Sequence, residues 1–201
     1  MIVRISRHHA LVLAAIAIFI TGCEEGHYEQ PVFPIPWDSV TYNNIDSALL
    51  RPDKVERFIH NYDTSKVLPI ALTRFPRLRD LTWWYGRLTQ VPSFIGDLQS
   101  LQELSLASNK ITYVAPEIGK LSSLRELGLS DNQITRLPNE ICNLHELSHM
   151  YIYNNKLTSL PDSIHKLTKL RELWMRGNMM SMQEIQRIRT ALPKLEWFSH
   201  D

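Results

Sequence analysis

LRELGLSDNQI, residues 124–134, decides how this chain folds, because it recurs. Its counterparts are LRDLTWWYGRL from Leu78, LQELSLASNKI from Leu101, LSHMYIYNNKL from Leu147 and LRELWMRGNMM from Leu170, each starting 23 residues after the last. The apolar residues of the central L-x-L alternate with polar ones, the two-residue period of a strand with one buried face. Asn109, Asn132, Asn155 and Asn178 recur where the chain leaves that strand. There a side-chain amide can bond backbone groups that a tight coil would otherwise bury unpaired. A second pattern lies between the blocks, as in ITRLPNEICNL and LTSLPDSIHKL. It spaces Ile118 from Leu121, Ile141 from Leu144 and Ile164 from Leu167 as one turn of helix or 3-10 helix would. No unit can bury its apolar side alone, so neighbouring units must stack.

These blocks resemble the leucine-rich repeat, L-x-x-L-x-L-x-x-N-x-L, in the variety whose second half reads L-P-x-x-I-x-x-L. The match is close over residues 78–180 and loose over 45–201. The resemblance implies an α/β leucine-rich-repeat solenoid: a right-handed coil with a parallel β-sheet on the concave side, short helical or 3-10 turns on the convex side, and helical caps. Strands in such a sheet lie about 4.8 Å apart.

The ends depart from the pattern. Val55-x-x-Phe58 and Val67-Leu68-Pro69 sit in register one repeat before Leu78, but His60 and Asp63 take the slots of a core leucine and the asparagine. Residues 45–77 are therefore expected to be a degenerate N-terminal cap with a short helix. Gly86 replaces the asparagine of the next unit, so its turn is expected to be irregular. At the other end Ser181-x-x-Glu184 is a capping box, with Met182, Ile185, Ile188 and Ala191 along one helical face. Pro193 stops that helix and LEWF offers a last strand, so residues 181–201 form the C-terminal cap.

The start of the chain is of another kind. Arg4 and Arg7 precede the wholly apolar residues 10–20. That run is too short to span a bilayer, which takes about 20 residues, but it suits a secretory signal. Ile20-Thr21-Gly22-Cys23 resembles the lipobox of bacterial lipoproteins. That resemblance implies cleavage after residue 22 and acylation of Cys23 on its sulfur and new amino group, with acyl chains holding the protein on a membrane. Losing Arg4 and Arg7 takes the 22 basic residues to 20, against 21 acidic ones. Attachment would then rest on lipid and not on a polybasic patch. Residues 23–44 read as a flexible tether, with Pro31, Pro34 and Pro36 close together. Extended as polyproline II, it would reach roughly 60 Å. In the lipoprotein family acidic residues after the cysteine, here Glu24 and Glu25, can signal surface export. The expected location is thus the cell envelope, with the outer membrane or cell surface favoured.

A composition of 44% hydrophobic and 21% charged residues fits a globular protein. A net charge of +1 removes the electrostatic case for nucleic acid. HELSH, residues 145–149, matches the zinc-protease signature H-E-x-x-H, which requires both histidines on one helix face. In the repeat frame, however, His145 aligns with Gln99, Ser122 and Thr168, and His149 with Glu103, Glu126 and Glu172. On an extended segment residues i and i+4 lie roughly 13 Å apart, and no third ligand is evident. The chain has no glycine-rich phosphate loop, and Cys142, on the outer turn, has no matched catalytic histidine. The expectation is a protein without enzymatic activity, bound metal or cofactor.

What remains is the concave face. One column holds Asp80, Glu103, Glu126 and Glu172, interrupted by His149. It is either a binding feature or half of a solvated charge ladder with Arg79, Arg125 and Arg171. Aromatic residues gather at the two ends: Trp84 and Tyr85, then Tyr151, Tyr153 and Trp174, with Arg176 beyond. Exposed tryptophan and tyrosine are enriched in binding hot spots. Trp84 and Tyr85 serve either that role or as cover for the Gly86 turn. Such repeats usually bind proteins, so a protein partner is expected on this face, and a glycan stacked on the aromatics is the alternative.

Overall fold

The structure, a computed structural model, describes residues 41–199, with 197–199 described by their backbone alone. The expected signal segment, the lipid-bearing Cys23 and most of the expected tether lie outside these residues. All the described residues fall in the second of two units, Pro36–Asp201.

Eight strands form one parallel sheet: β1 (Thr41–Tyr42), β2 (Arg57–Asn61), β3 (Asp80–Trp84), β5 (Glu103–Ser105), β7 (Glu126–Gly128), β8 (His149–Tyr151), β9 (Glu172–Trp174) and β10 (Trp197–Ser199). Two shorter strands, β4 (Gln90–Val91) and β6 (Tyr113–Val114), pair separately. Register follows the repeat, with Leu81, Leu104, Leu127, Met150 and Leu173 side by side across the sheet. Backbone rungs at the strand entrances carry the same period. Gln102 donates to the Arg79 carbonyl, Arg125 to Gln102, Ser148 to Arg125 and Arg171 to Ser148, all at 2.7–2.9 Å. The leucine-rich-repeat solenoid expected from the sequence is the fold observed.

Between strands the second half of each unit is a single 3-10 turn: Ser93–Asp97, Pro116–Lys120, Asn139–Asn143 and Asp162–Lys166. Its isoleucine and closing leucine are buried in every case, as Ile118 and Leu121 illustrate. Together with the strand leucines they make one continuous core. Each fully buried leucine or isoleucine contributes about 1.5–3 kcal/mol, and stacking is what delivers that burial. Cys142 sits inside one of these turns and is only 1% exposed, so it packs as a small hydrophobe.

The asparagines stitch one coil to the next. Asn109 Nδ2 donates to the Trp83 carbonyl of the preceding coil at 2.8 Å and to its own Leu106 carbonyl at 3.1 Å, while its Oδ1 accepts from the Leu88 amide at 3.1 Å. Asn132, Asn155 and Asn178 repeat the arrangement. Before each comes a residue with positive φ: Ser108 at 55°, Asp131 at 55°, Asn154 at 51° and Gly177 at 69°.

The Gly86 turn is not irregular, contrary to the sequence-based expectation. Tyr85 precedes Gly86 with φ 52°, and Tyr62 precedes Asp63 with φ 59°, so both early coils keep the left-handed step. The bond that secures the Trp83 carbonyl comes from Asn109 in the following coil, so the missing asparagine does not undo its own turn. Gly86 also fits because a Cβ there would lie 2.6 Å from Asn109 Oδ1.

The caps need three corrections. The tether was expected to run to residue 44, but Thr41 and Tyr42 already pair with Arg57 and Phe58. Asn44 caps helix α1 (Ile45–Leu49), accepting from the Asp46 amide at 2.8 Å and the Ser47 amide at 3.1 Å. Helix α2 (Met182–Ala191) buries Ile188 but leaves Met182 74% exposed, so Met182 does not belong to the core face. Its capping box is only half formed. Ser181 Oγ accepts from the Glu184 amide at 3.2 Å, but Glu184 turns away to accept from the Leu160 amide at 2.9 Å and to hold Arg187 at 2.7 Å. His60, in a core slot, lies against Trp83 with ring centroids 4.3 Å apart and planes tilted by 43°, and donates from Nδ1 to the Asn43 carbonyl at 2.9 Å. That carbonyl gives the imidazole a partner a leucine would not need.

Candidate functional site

HELSH lies where the repeat frame puts it. His145 is in the turn after the 3-10 segment and His149 opens strand β8, so no helix carries the pair. His149 lies 2.8 Å from Ser148 Oγ and 3.7 Å from Glu172. Among the described residues no group of three or more His, Cys, Asp or Glu side chains is arranged to hold a metal ion.

In a parallel sheet with in-register strands, residues of the same repeat position form rows across the concave face. The first row reads Arg57, Asp80, Glu103, Glu126, His149, Glu172. The second reads Thr82, Ser105, Gly128, Tyr151, Trp174. Trp84, Tyr153 and Arg176 follow at the strand ends, and Tyr62 and Tyr85 lie on the left-handed turns.

The first row sets like charges side by side, which directly opposed strand positions penalise. Arg57 Nε lies 2.7 Å from Asp80 Oδ2, and His149 Nε2 lies 3.7 Å from Glu172 Oε1. Burial first, and then the carboxyls of Glu103, Asp80 and Glu172, push the Glu126 carboxyl up to about 8. Glu103 is also raised, by burial and by Asp80, with Arg57 and His149 opposing. The charge ladder with Arg79, Arg125 and Arg171 takes a different form from the one expected. Arg171 reaches Glu196 at 3.5 Å, and Arg125 acts on Glu146, which Lys169 holds at 2.6 Å. Arg79 does line a shallow cleft with Glu56, Arg57, Asp80, Gln102 and Glu103. Arg57, one repeat before Asp80, was legible by register and passed over.

The aromatic residues divide by burial. Trp84 is half-buried, its indole N–H donating to Ser105 Oγ at 2.5 Å. Trp174 is half-buried and donates to Glu172 Oε2 at 3.3 Å. Tyr85 is 37% exposed and stacks on the more exposed Tyr62, with ring centroids 5.2 Å apart and planes within 10°. The pairing of Tyr62 with Tyr85 was missed in the sequence although the two are one repeat apart. Tyr151, expected as an exposed anchor, is not one: it is 7% exposed, between His149 and Trp174, each 6.5 Å away. Its neighbour in the row is Gly128, which has no side chain to compete for the space. Burial and then Glu126 and Glu172 raise the Tyr151 phenol well above its ordinary value. Tyr153 is half-buried, and burial pushes its phenol up to about 12, helped by Asp131. Arg176 is exposed.

Comparison with known proteins agrees with the fold. Residues 76–134 match a family model described as leucine rich repeat, and residues 111–199 match one described as leucine-rich repeat region. A leucine-rich-repeat protein of Leptospira interrogans is similar in structure at 30% identity and TM-score 0.58, over 73% of this chain and 43% of that one. An internalin from Listeria monocytogenes aligns at 22% identity and TM-score 0.61, over 74% of this chain and 42% of its own. A plant peptide hormone receptor, RGFR1 in complex with RGF2, aligns at 24% identity and TM-score 0.61, over 79% of this chain and 27% of the receptor. The chain thus spans less than half of each of these structures. No curated protein matches it.

Proposed function

From the premise that this chain is a leucine-rich-repeat solenoid, we propose that it is a recognition module without enzymatic activity, lipid-anchored in the cell envelope, that holds a protein partner on its concave face. The observation that carries this reading is the set of in-register rows, in which a carboxyl row runs beside aromatic residues on a rigid sheet. Rigid placement lowers the entropic cost of ordering those side chains on binding. Tyr85, Trp174 and Arg176 offer exposed or half-exposed surface of the kinds enriched in hot spots. One structural neighbour, the plant receptor, is in complex with RGF2. Fold alone assigns no partner, so the rows and not the likeness are the argument.

The test is affinity capture from a membrane extract with native protein and with the Tyr85→Ala, Trp174→Ala, Arg176→Ala variant. These three side chains lie outside the buried core, so the melting temperature should hold while the captured partner is lost. Capture by the variant at the native level would show that the face is wrongly chosen.

Anchoring through Cys23 predicts that labelled palmitate enters the native chain but not Cys23→Ala, and that the variant leaves the membrane fraction. Equal labelling of both would remove the lipid from the reading. The outer membrane or cell surface remains the favoured location on the strength of Glu24 and Glu25. A glycan is the second reading, favoured by the flat, exposed Tyr62–Tyr85 stack, a shape on which a sugar ring can lie. Binding on a glycan array that Tyr62→Ala and Tyr85→Ala abolish would favour it over the protein partner.

A further inference from the structure

Between the concave sheet and the small sheet of β4 and β6 the coils present a lateral edge whose charge is one-sided. Backbone bonds fix its register: the Lys110 amide donates to the Leu88 carbonyl, Thr112 to Thr89, Gln133 to Ile111 and Lys156 to Ile134, at 2.9–3.0 Å. The slot after the asparagine position holds Arg87, Lys110 and Lys156, all exposed. Two slots further along its coil lies Lys66, and three slots further lies Arg136, both exposed as well. Over the six coils from Asp63 to Asn178 these three slots hold five cations and no carboxylate. Among the described residues none of the five is held in an ion pair. Carboxylates bordering the edge on the concave side are engaged elsewhere: Asp63 lies 3.8 Å from His60, and Asp131 accepts from Asn154 at 2.7 Å.

Apolar side chains stand among these cations. Val67, Tyr113, Met179 and Met182 fall in the same slots, and each is at least 50% exposed. They are four of the eight large apolar side chains exposed among the described residues, so the exposure is gathered and not scattered. Cations alone suit any polyanion. Cations interleaved with exposed apolar groups suit a surface that is anionic outside and apolar beneath.

We propose that this edge rests on an anionic phospholipid surface, its five cations meeting headgroup phosphates while Tyr113, Met179 and Met182 enter the interface. The inference goes beyond the concave-face reading and takes from the proposed function only the lipid on Cys23, which would bring a bilayer within reach of the tether. Near-neutral net charge conceals such an edge, because carboxylates gathered elsewhere, as in the first row of the sheet, cancel it in the sum. Stacked coils lie about 4.8 Å apart, inside the screening length of about 8 Å at physiological salt. Neighbouring cations therefore act on the bilayer together, each strengthening attachment about fivefold. The concave rows occupy other slots of the coil, so a protein partner and a bilayer can be held at once.

Vesicle cosedimentation tests this with the full chain carrying Cys23→Ala, so that no acyl group contributes. Binding should be about tenfold or more tighter to mixed phosphatidylglycerol and phosphatidylcholine vesicles than to phosphatidylcholine alone. It should fall as salt rises from about 0.1 M to about 1 M, where screening shortens from about 10 Å to about 3 Å. Adding Arg87→Gln, Lys110→Gln and Lys156→Gln should weaken binding to the mixed vesicles about tenfold or more. Arg4 and Arg7 are common to both chains and cancel in that comparison. Tyr113→Ala, Met182→Ala should also weaken vesicle binding while leaving heparin binding unchanged. Melting curves establish that each variant is folded. Amine-reactive labelling needs no variant of the edge: on mixed vesicles Lys110 and Lys156 should lose reactivity, while Lys120 and Lys166, on the convex 3-10 turns, keep it. No preference for phosphatidylglycerol, a native-like charge variant, or unchanged labelling of Lys110 and Lys156 would each overturn the proposal. Heparin binding together with a native-like Tyr113→Ala, Met182→Ala variant would assign the edge to a soluble polyanion and overturn it too. The Cys23 lipid and the concave face fail separately, through palmitate labelling and partner capture.

Discussion

Asn132 reaches across a repeat boundary to Leu106: its Nδ2 donates to the Leu106 carbonyl of the preceding coil at 3.0 Å. The same amide serves the Leu129 and Ser130 carbonyls at 3.0 Å each, and Oδ1 accepts from the Ile111 amide at 2.9 Å. One side chain therefore bonds four buried backbone groups, in two successive coils.

Asn132→Ala should accordingly lower stability more than its size suggests. The Leu106, Leu129 and Ser130 carbonyls keep donors in Asn109, Asn155 and Ser108, so the Ile111 amide is the group left unpaired, at a cost of about 1–3 kcal/mol. Asn178→Ala, in the last coil and only half-buried, should cost less. Urea denaturation of the two variants measures both. Equal losses, or a negligible loss at Asn132, would mean that the strand rungs and not the asparagines hold the coils together.

The left-handed step offers an improvement. Ser108 has φ 55°, a conformation that an L-residue adopts at a cost of about 1 kcal/mol and glycine adopts freely. Ser108→Gly should raise the unfolding free energy by about 0.5 kcal/mol, the relief of backbone strain being partly offset by the greater freedom of glycine in the unfolded chain. Ser108→Val should lower it by at least 1 kcal/mol, roughly, because a β-branched residue tolerates that region poorly. Chemical denaturation of the pair should therefore place them on opposite sides of native. Both falling on the same side would contradict the strain argument.

How much of this was legible in the sequence depends on what fixes each feature. The register of Leu81, Leu104, Leu127 and Leu173 follows from a constant 23-residue step, and a step can be counted. The residues of the rows were legible for the same reason, including Asp80, Glu103, Glu126, His149 and Glu172. Burial within a row was not. Tyr151 sinks because its neighbour is Gly128, a relation between adjacent repeats and not a property of either strand. The Gly86 turn was misjudged for a related reason: the bond that fixes it is made by Asn109, one coil later. Strand β1 escaped notice because two residues are too few to show a period, and only pairing with Arg57 and Phe58 defines them.

Leu127 and Met182 test the division between core and cap. Leu127 is fully buried in β7, so Leu127→Ala should cost about 2–5 kcal/mol through lost burial and the cavity left behind. Met182 lies at the exposed start of α2, and Met182→Ala should change stability by less than about 0.5 kcal/mol. Thermal melts of both give the comparison. A large loss at Met182 would restore it to the helical core face.

The carboxyl row should make stability depend on pH in an unusual sense. Glu126 rises from an ordinary 4.5 to about 8 in the folded chain, so folding favours its protonated form. That contribution is complete below about pH 4.5 and fades as pH climbs through 8, because the charged form must then be held among Glu103, Asp80 and Glu172. Glu103, also raised, adds to the trend. Glu184 works in the opposite direction: Arg187 lowers it, so its contribution is present above the ordinary carboxylate range and is lost as pH falls. Glu126→Gln cannot ionise. Relative to that variant, native protein should lose stability between about pH 4.5 and 8, on the order of a few kcal/mol. Urea midpoints of the two proteins, measured at intervals over that range, should converge at the acid end and separate at the alkaline end. Parallel curves would mean that Glu126 is ionised throughout, and the crowding of carboxyls across β5, β7 and β9 would then carry no proton.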